Sequence, residues 1–210
     1  MDLGARLAKL FEAERAVRAL HAELLREDPA ALMAALGPAA REALELKDAT
    51  ESTLRLVRIA ELLTDVNGDA SADLLVDILG TEHGEARLSA GEALEERGYS
   101  RFKELALAVE RALDRLPKDS VALEELPYLL AEIPEPGVTK LLARFLGLQS
   151  AEAVSASIEA LVEVGDPGAI KLLEPLEKDA RTVSVAGESS ITIGELAREA
   201  IDLLRRVRAE

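Results

Sequence analysis

The chain has 210 residues, enough to bury a continuous core, and 49% of them are hydrophobic, nearly all Ala, Leu, Val and Ile, with three Phe, two Tyr and no Trp. That make-up favours helix packed on helix over sandwiches or barrels. Lys plus Arg total 25 against 40 Asp plus Glu, a formal charge of -15, which opposes nucleic acid and anionic membrane surfaces, and the lack of cysteine removes disulfides, thiolate metal sites and thiol nucleophiles.

At the N-terminal end Leu3, Leu10, Val17 and Leu24 recur every seven residues, with Leu7, Phe11 and Leu20 beside them, which predicts one long helix with an apolar face ending near Arg26. Such a face serves either packing on the next helices or self-association. Glu14 and His21 occupy the intervening core slots of a coiled coil, so packing, and with it a monomer, is the favoured expectation and a homodimer through this helix the alternative. Met1 to Leu10 carries Asp2, Arg6 and Lys9 at amphipathic spacing, unlike a secretory signal, and no apolar run approaches the roughly 20 residues of a membrane helix. The expected compartment is the cytoplasm. Asp28-Pro29 starts a second helix, interrupted at Gly37-Pro38 and continuing to about Lys47. Residues 1–50 are thus expected to form a helical cap.

An internal repeat follows. Ala131 to Leu142 (A-E-I-P-E-P-G-V-T-K-L-L) aligns with Val162 to Leu173 (V-E-V-G-D-P-G-A-I-K-L-L) at an offset of 31, and S-A-D-L-L-V-D-I-L-G ending at Gly80 aligns with V-T-K-L-L-A-R-F-L-G ending at Gly147 at 67. The register makes Asp73, Glu104, Lys140 and Lys171 equivalent, and puts turn residues at Asn67-Gly68, Gly98, Pro134 and Gly165. Each unit reads as two amphipathic helices: 51–65 with 70–79, 85–97 with 100–115, 120–132 with 136–147, and 151–164 with 167–178. Ser150 is a candidate N-cap, Asp166-Pro167 and Glu135-Pro136 start helices, and Gly80 and Gly147 stop them. Near the end Val183 and Val185, then A-G-E-S-S, then Ile191 and Ile193 predict a hairpin over 182–193. Thr192 and Glu195 have capping-box spacing for a last helix from about Glu195 to Arg208.

The segments A-R-L-S-A-G-E-A-L (86–94), A-L-V-E-V-G-D-P-G-A-I-K-L-L-E-P-L (160–176) and T-I-G-E-L-A-R-E-A (192–200) resemble HEAT repeats of the bilin-lyase-like class common in bacteria, over about residues 51–208. The resemblance implies an all-α fold, a right-handed α-solenoid of four to five helix pairs running through residues 51–210, capped by the N-terminal helices and the last helix. It also implies that second helices line the concave side, placing Asp73, Asp77, Glu104, Lys140, Arg144, Lys171 and Glu174 on one ridge running from acidic to basic. That ridge is the expected protein-binding surface, against the alternative of an ordinary solvated face.

Chemistry finds little support in the residues. His21 and His83 are the only histidines and have no metal-ligand spacing, so each is expected to pack or to face solvent. The 87–94 stretch resembles repeats of the HEAT-type iron enzyme deoxyhypusine hydroxylase, whose His-Glu ligand pairs are replaced here by Leu88 and Ser89. Bilin lyases and HEAT-like alkylpurine glycosylases share the repeat type, but the aromatic or basic cleft they would need is missing from the composition. Paired acids such as Glu95-Glu96 and Glu124-Glu125 read as solvated surface. The expectation is therefore a non-catalytic scaffold or adaptor binding another protein, with no cofactor. The rivals are a catalytic or accessory HEAT protein and an acidic inhibitor of a basic protein surface. The inhibitor draws on residues 51–100, which hold 11 acids and 4 bases, against 8 acids and 7 bases in 101–150.

Overall fold

The computed structural model describes residues 2–184 and 190–207. It is all-α apart from one two-residue hairpin pair. Helices α1 (Leu3–Leu24) and α2 (Pro29–Leu44) lead into α3 (Ala49–Asp65), α4 (Asp69–Leu79), a long α5 (Gly84–Arg115), α6 (Val121–Ala131), α7 (Val138–Phe145) and α8 (Ala151–Val164). A single α-turn, α9 (Ile170–Leu173), sits between 3-10 turns at Pro167–Ala169 and Glu174–Leu176, followed by strands β1 (Thr182–Val183) and β2 (Ile191–Thr192) and the last helix, α10 (Ile193–Val207).

Local chemistry sets most boundaries. Asp48 accepts from the backbone N–H of Thr50 and Glu51 at 3.0 and 3.2 Å and starts α3; Ser150 accepts from that of Ala153 at 3.1 Å and starts α8. Gly165, with φ +68°, ends α8 in the left-handed region that a side chain disfavours. The expected capping box forms: Thr192 N–H donates to Glu195 Oε2 at 2.9 Å and Glu195 N–H to Thr192 Oγ1 at 3.1 Å. Strands β1 and β2 pair antiparallel, Thr182 opposite Thr192 and Val183 opposite Ile191. Val185 and most of A-G-E-S-S lie outside the described residues.

Three boundaries differ from expectation. No break occurs at Gly37-Pro38, because exposed Pro38 forfeits its helical bond on the solvent side while Leu32, Leu36, Ala40 and Ala43 hold the buried face in register. Gly98 is a packing position inside α5: a Cβ there would lie 2.2 Å from Ile133 Cδ1, so glycine lets α5 approach the end of α6. The bend expected there falls at Arg101 (φ -149°, ψ 51°), dividing α5 into limbs 84–100 and 102–115. In the fourth unit the second helix shrinks to α9 and its 3-10 flanks, where Pro167 and Pro175 limit the supply of amide donors.

Helices pack on near neighbours in sequence. Helix α5 lies against α3, α4 and α6, α8 against α6, α7 and α10, and α10 against α9. One continuous apolar layer runs from Leu32 to Leu204, including Leu56, Leu75, Leu94, Leu126, Leu142 and Phe145. Burying each such side chain is worth about 1.5–3 kcal/mol, and neighbouring pairs supply both walls. Helix α2 packs on α3 and α4 and so closes that end of the layer. Helix α1 does not share in it. None of its residues is buried, and it meets the body at its end, through Leu25 and His21, whose Nε2 lies 3.9 Å from Asp65. The packing expected of its apolar face is not what the structure has.

Candidate functional site

Grooves run between neighbouring helices: α3, the first limb of α5, α6 and α8 line one set, and the second limb of α5 and α7 line another. Of the residues expected on the ridge, Asp73 and Asp77 lie on α4, Glu104 on the second limb of α5, and Lys140 and Arg144 on α7. Asp73 on α4 receives Arg111 Nε at 2.9 Å and Asp77 receives Arg115 Nη1 at 2.6 Å, both arginines from the second limb of α5. One helix further on, Arg144 of α7 meets Glu110 of the same limb at 2.5 Å. These are rungs between successive helices, so Asp73, Asp77 and Arg144 face one another's neighbours and the acidic-to-basic run is largely neutralised internally. Burial pushes the Asp77 carboxyl up, against the pull of Arg115.

Glu104 is drawn inward. Its Oε1 accepts from Gly68 N–H at 2.8 Å and from Arg97, whose guanidinium is fully buried. Arg97 Nη2 also donates to the carbonyls of Leu63 and Val66 at 2.9 and 2.8 Å and to Ser71 Oγ at 2.7 Å. The guanidinium thereby caps the last carbonyls of α3 and fastens the α3–α4 turn to the α5 bend. Burial pulls it below its ordinary pKa, and Glu104 opposes that shift. Arg97 is the residue that sequence reasoning passed over. The signal was there: Ala86, Ala90, Ala93, Leu94 and Arg97 share one helical stripe, so a cation stood in a core slot.

Lys140 stays exposed beside a groove between the second limb of α5 and α7, with Phe102, Lys103, Leu107 and Leu141 along it. Neither Lys103 nor Lys140 has an ion-pair partner within 4.0 Å among the described residues. Lys171 and Glu174 are exposed on the α9 segment, likewise outside the ion-pair rungs of the described residues.

The grooves lined by the first limb of α5, α6 and α8 are acidic. Tyr128 donates to Glu159 Oε2 at 2.9 Å and Ser155 to Glu159 Oε1 at 3.2 Å, while Arg87 lies 3.9 Å from Glu125. Burial, then the charges of Glu152 and Glu125, push the Glu124 carboxyl up; burial, then the bond to Glu159, pushes the Tyr128 phenol up. His83 is pinned on α3: Thr53 Oγ1 donates to Ala49 O at 2.8 Å and so accepts from Nδ1 at 2.9 Å, leaving Nε2 to accept from Ser52 at 3.0 Å. Among the described residues no three of His, Asp and Glu gather in a way that could hold a metal.

The geometry defines an all-α protein whose surface features are open grooves between helices, and among the described residues no helix is long and apolar enough to cross a membrane. No protein-family model and no curated protein matches the chain. Among solved structures, the crystal structure of an engineered protein from the Northeast Structural Genomics Consortium is similar at 19% identity, covering 92% of this chain and 90% of its own, with a TM-score of 0.36.

Proposed function

We propose that the chain is a HEAT-like, right-handed α-solenoid of four to five helix pairs and serves as a non-catalytic cytoplasmic scaffold, holding a protein partner along its second-helix ridge. The observation that carries this is the sequence spacing of the cross-helix polar contacts. Ser52–His83, Lys118–Gln149 and Tyr128–Glu159 span 31 residues each, Arg97 to Val66 O spans 31, and Asp73–Arg111 spans 38. The first four separations equal the 31-residue offset of the repeat, as expected when each helix pair touches the next at equivalent positions, and the last exceeds it by about two helical turns.

Within the ridge the docking element is the groove of Phe102, Leu107, Lys103 and Lys140, since Asp73, Asp77 and Arg144 are engaged by neighbouring helices and Glu104 by Arg97. Two unmatched ammonium groups beside exposed apolar surface suit an acidic segment with an apolar anchor. The test is capture from a bacterial extract with immobilised wild-type protein and the double variant Lys103→Glu/Lys140→Glu, alongside Glu163→Gln on α8. A protein retained by wild type and Glu163→Gln but lost with the double variant supports the ridge. Identical retention by all three overturns it.

A further inference from the structure

Helix α1 carries an apolar stripe that nothing among the described residues covers. Leu3 is 68% exposed, Leu10 54%, Leu20 59% and Leu24 41%, with Phe11 alongside at 56%. Over 22 residues, about 33 Å of helix, the stripe presents roughly 600 Å² of apolar side-chain surface, at the top of the range for a monomer. Two such stripes facing each other would bury about 1,200 Å², where specific interfaces begin.

We propose that the occupant is α1 of a second copy, in antiparallel orientation. Charge chooses the partner. The whole chain carries -15, yet residues 2–27 hold five bases and five acids, so the entire excess of negative charge lies in the body. Bodies repel while the α1 helices approach as neutral rods, and antiparallel pairing sends the two bodies to opposite ends.

Charge also chooses the orientation. Parallel pairing in register stacks Glu14 on Glu14 of the second copy within the apolar seam, an unpaired buried charge on each side. Antiparallel pairing centred between Arg15 and Ala16 sets Leu7 against Leu24 of the second copy and Glu14 against its Val17. Arg18 then stands one residue further along the seam edge, within reach of Glu14 on the opposing helix. This contact occurs twice by the two-fold symmetry. The residue that speaks against a parallel coiled coil becomes a specificity contact.

Light scattering on the full chain across a micromolar concentration series tests this. The expected mass is about 45 kDa, twice the 22.5 kDa chain. Leu10→Glu/Val17→Glu should weaken association at least about 100-fold while the monomeric variant keeps a cooperative thermal transition of its body, since both residues are exposed in the single chain. Glu14→Arg alone should weaken it about tenfold, and Glu14→Arg/Arg18→Glu should restore it. A 22.5 kDa mass throughout, a dimer indifferent to Leu10→Glu/Val17→Glu, or a charge swap that fails to rescue would each overturn the proposal.

Discussion

Replacing Arg97 by Met should be among the most damaging single substitutions in the protein. The guanidinium is completely enclosed, and its removal takes one donor from the carbonyls of Leu63 and Val66, which keep Val66 N–H and Ser71 Oγ respectively, and leaves the Glu104 carboxylate, itself only 18% exposed, with Arg101 at 3.8 Å as its remaining cation. Losing one member of a buried pair costs about 3–5 kcal/mol, and the two carbonyls, which each keep another donor, add little to this. For a chain of this size that corresponds to a fall in melting temperature of about 10 °C or more. Glu104→Gln is the companion: the amide oxygen still accepts from Gly68 N–H, so its own cost should be nearer 1–2 kcal/mol. Urea denaturation of the two single variants and the double variant gives the coupling, expected at about 1–3 kcal/mol in the direction of a double variant milder than the sum. Arg97→Met within about 0.5 kcal/mol of wild type, with no coupling to Glu104, would refute the account of the clamp, because methionine packing would then match everything the guanidinium does.

At Gly194 an added Cβ would sit 2.7 Å from Glu177 O and 3.0 Å from Asp179 O, both backbone atoms that have no rotamer to escape into. Gly194→Ala should therefore unseat α10, costing about 1–3 kcal/mol and raising amide exchange over residues 193–207, which hydrogen-exchange mass spectrometry would detect. Asp179 accepts from Arg181 Nη2 at 2.6 Å and from Nε at 3.0 Å, and these bonds hold its carboxyl below the usual range. A depressed folded-state pKa adds stability above the unfolded value and loses it as pH falls through the folded one, so the gap between wild type and Asp179→Asn in urea midpoint should be full at neutral pH and close below about pH 4. Thr192→Val removes both hydroxyl bonds of the capping box; it should cost about 1 kcal/mol and let the Glu195 carboxyl, now held low chiefly by Thr192, rise toward its ordinary value in an NMR titration.

The helices at 51–65, 70–79 and 151–164 were legible from residues alone, since their apolar spacing, Ser150 and Gly165 act within one or two turns of chain. So was a hairpin over 182–193, as far as the described residues reach, though its register, Val183 opposite Ile191, came only with the structure. The candidate site was less legible. Equivalent slots at Asp73, Glu104, Lys140 and Lys171 gave no warning that Glu104 turns inward to Arg97 while Lys140 stays in solvent, because that depends on the bend at Arg101 that brings the two limbs of α5 together around the α3–α4 turn. Asp73 and Asp77 looked like free acids until Arg111 and Arg115, 38 residues later, came alongside.

Composition, period and capping residues determined that this chain is helical, where several of its helices start and stop, and that it carries strong negative charge, because helix formation is governed by interactions within about four residues. Only the tertiary structure decided that α1 stands outside the core with its leucines bare, and that Asp73, Asp77 and Arg144 are matched from the neighbouring helix. Those outcomes turn on surfaces brought together from distant parts of the chain, and a stripe of leucines reads the same in sequence whether its own body covers it or nothing does.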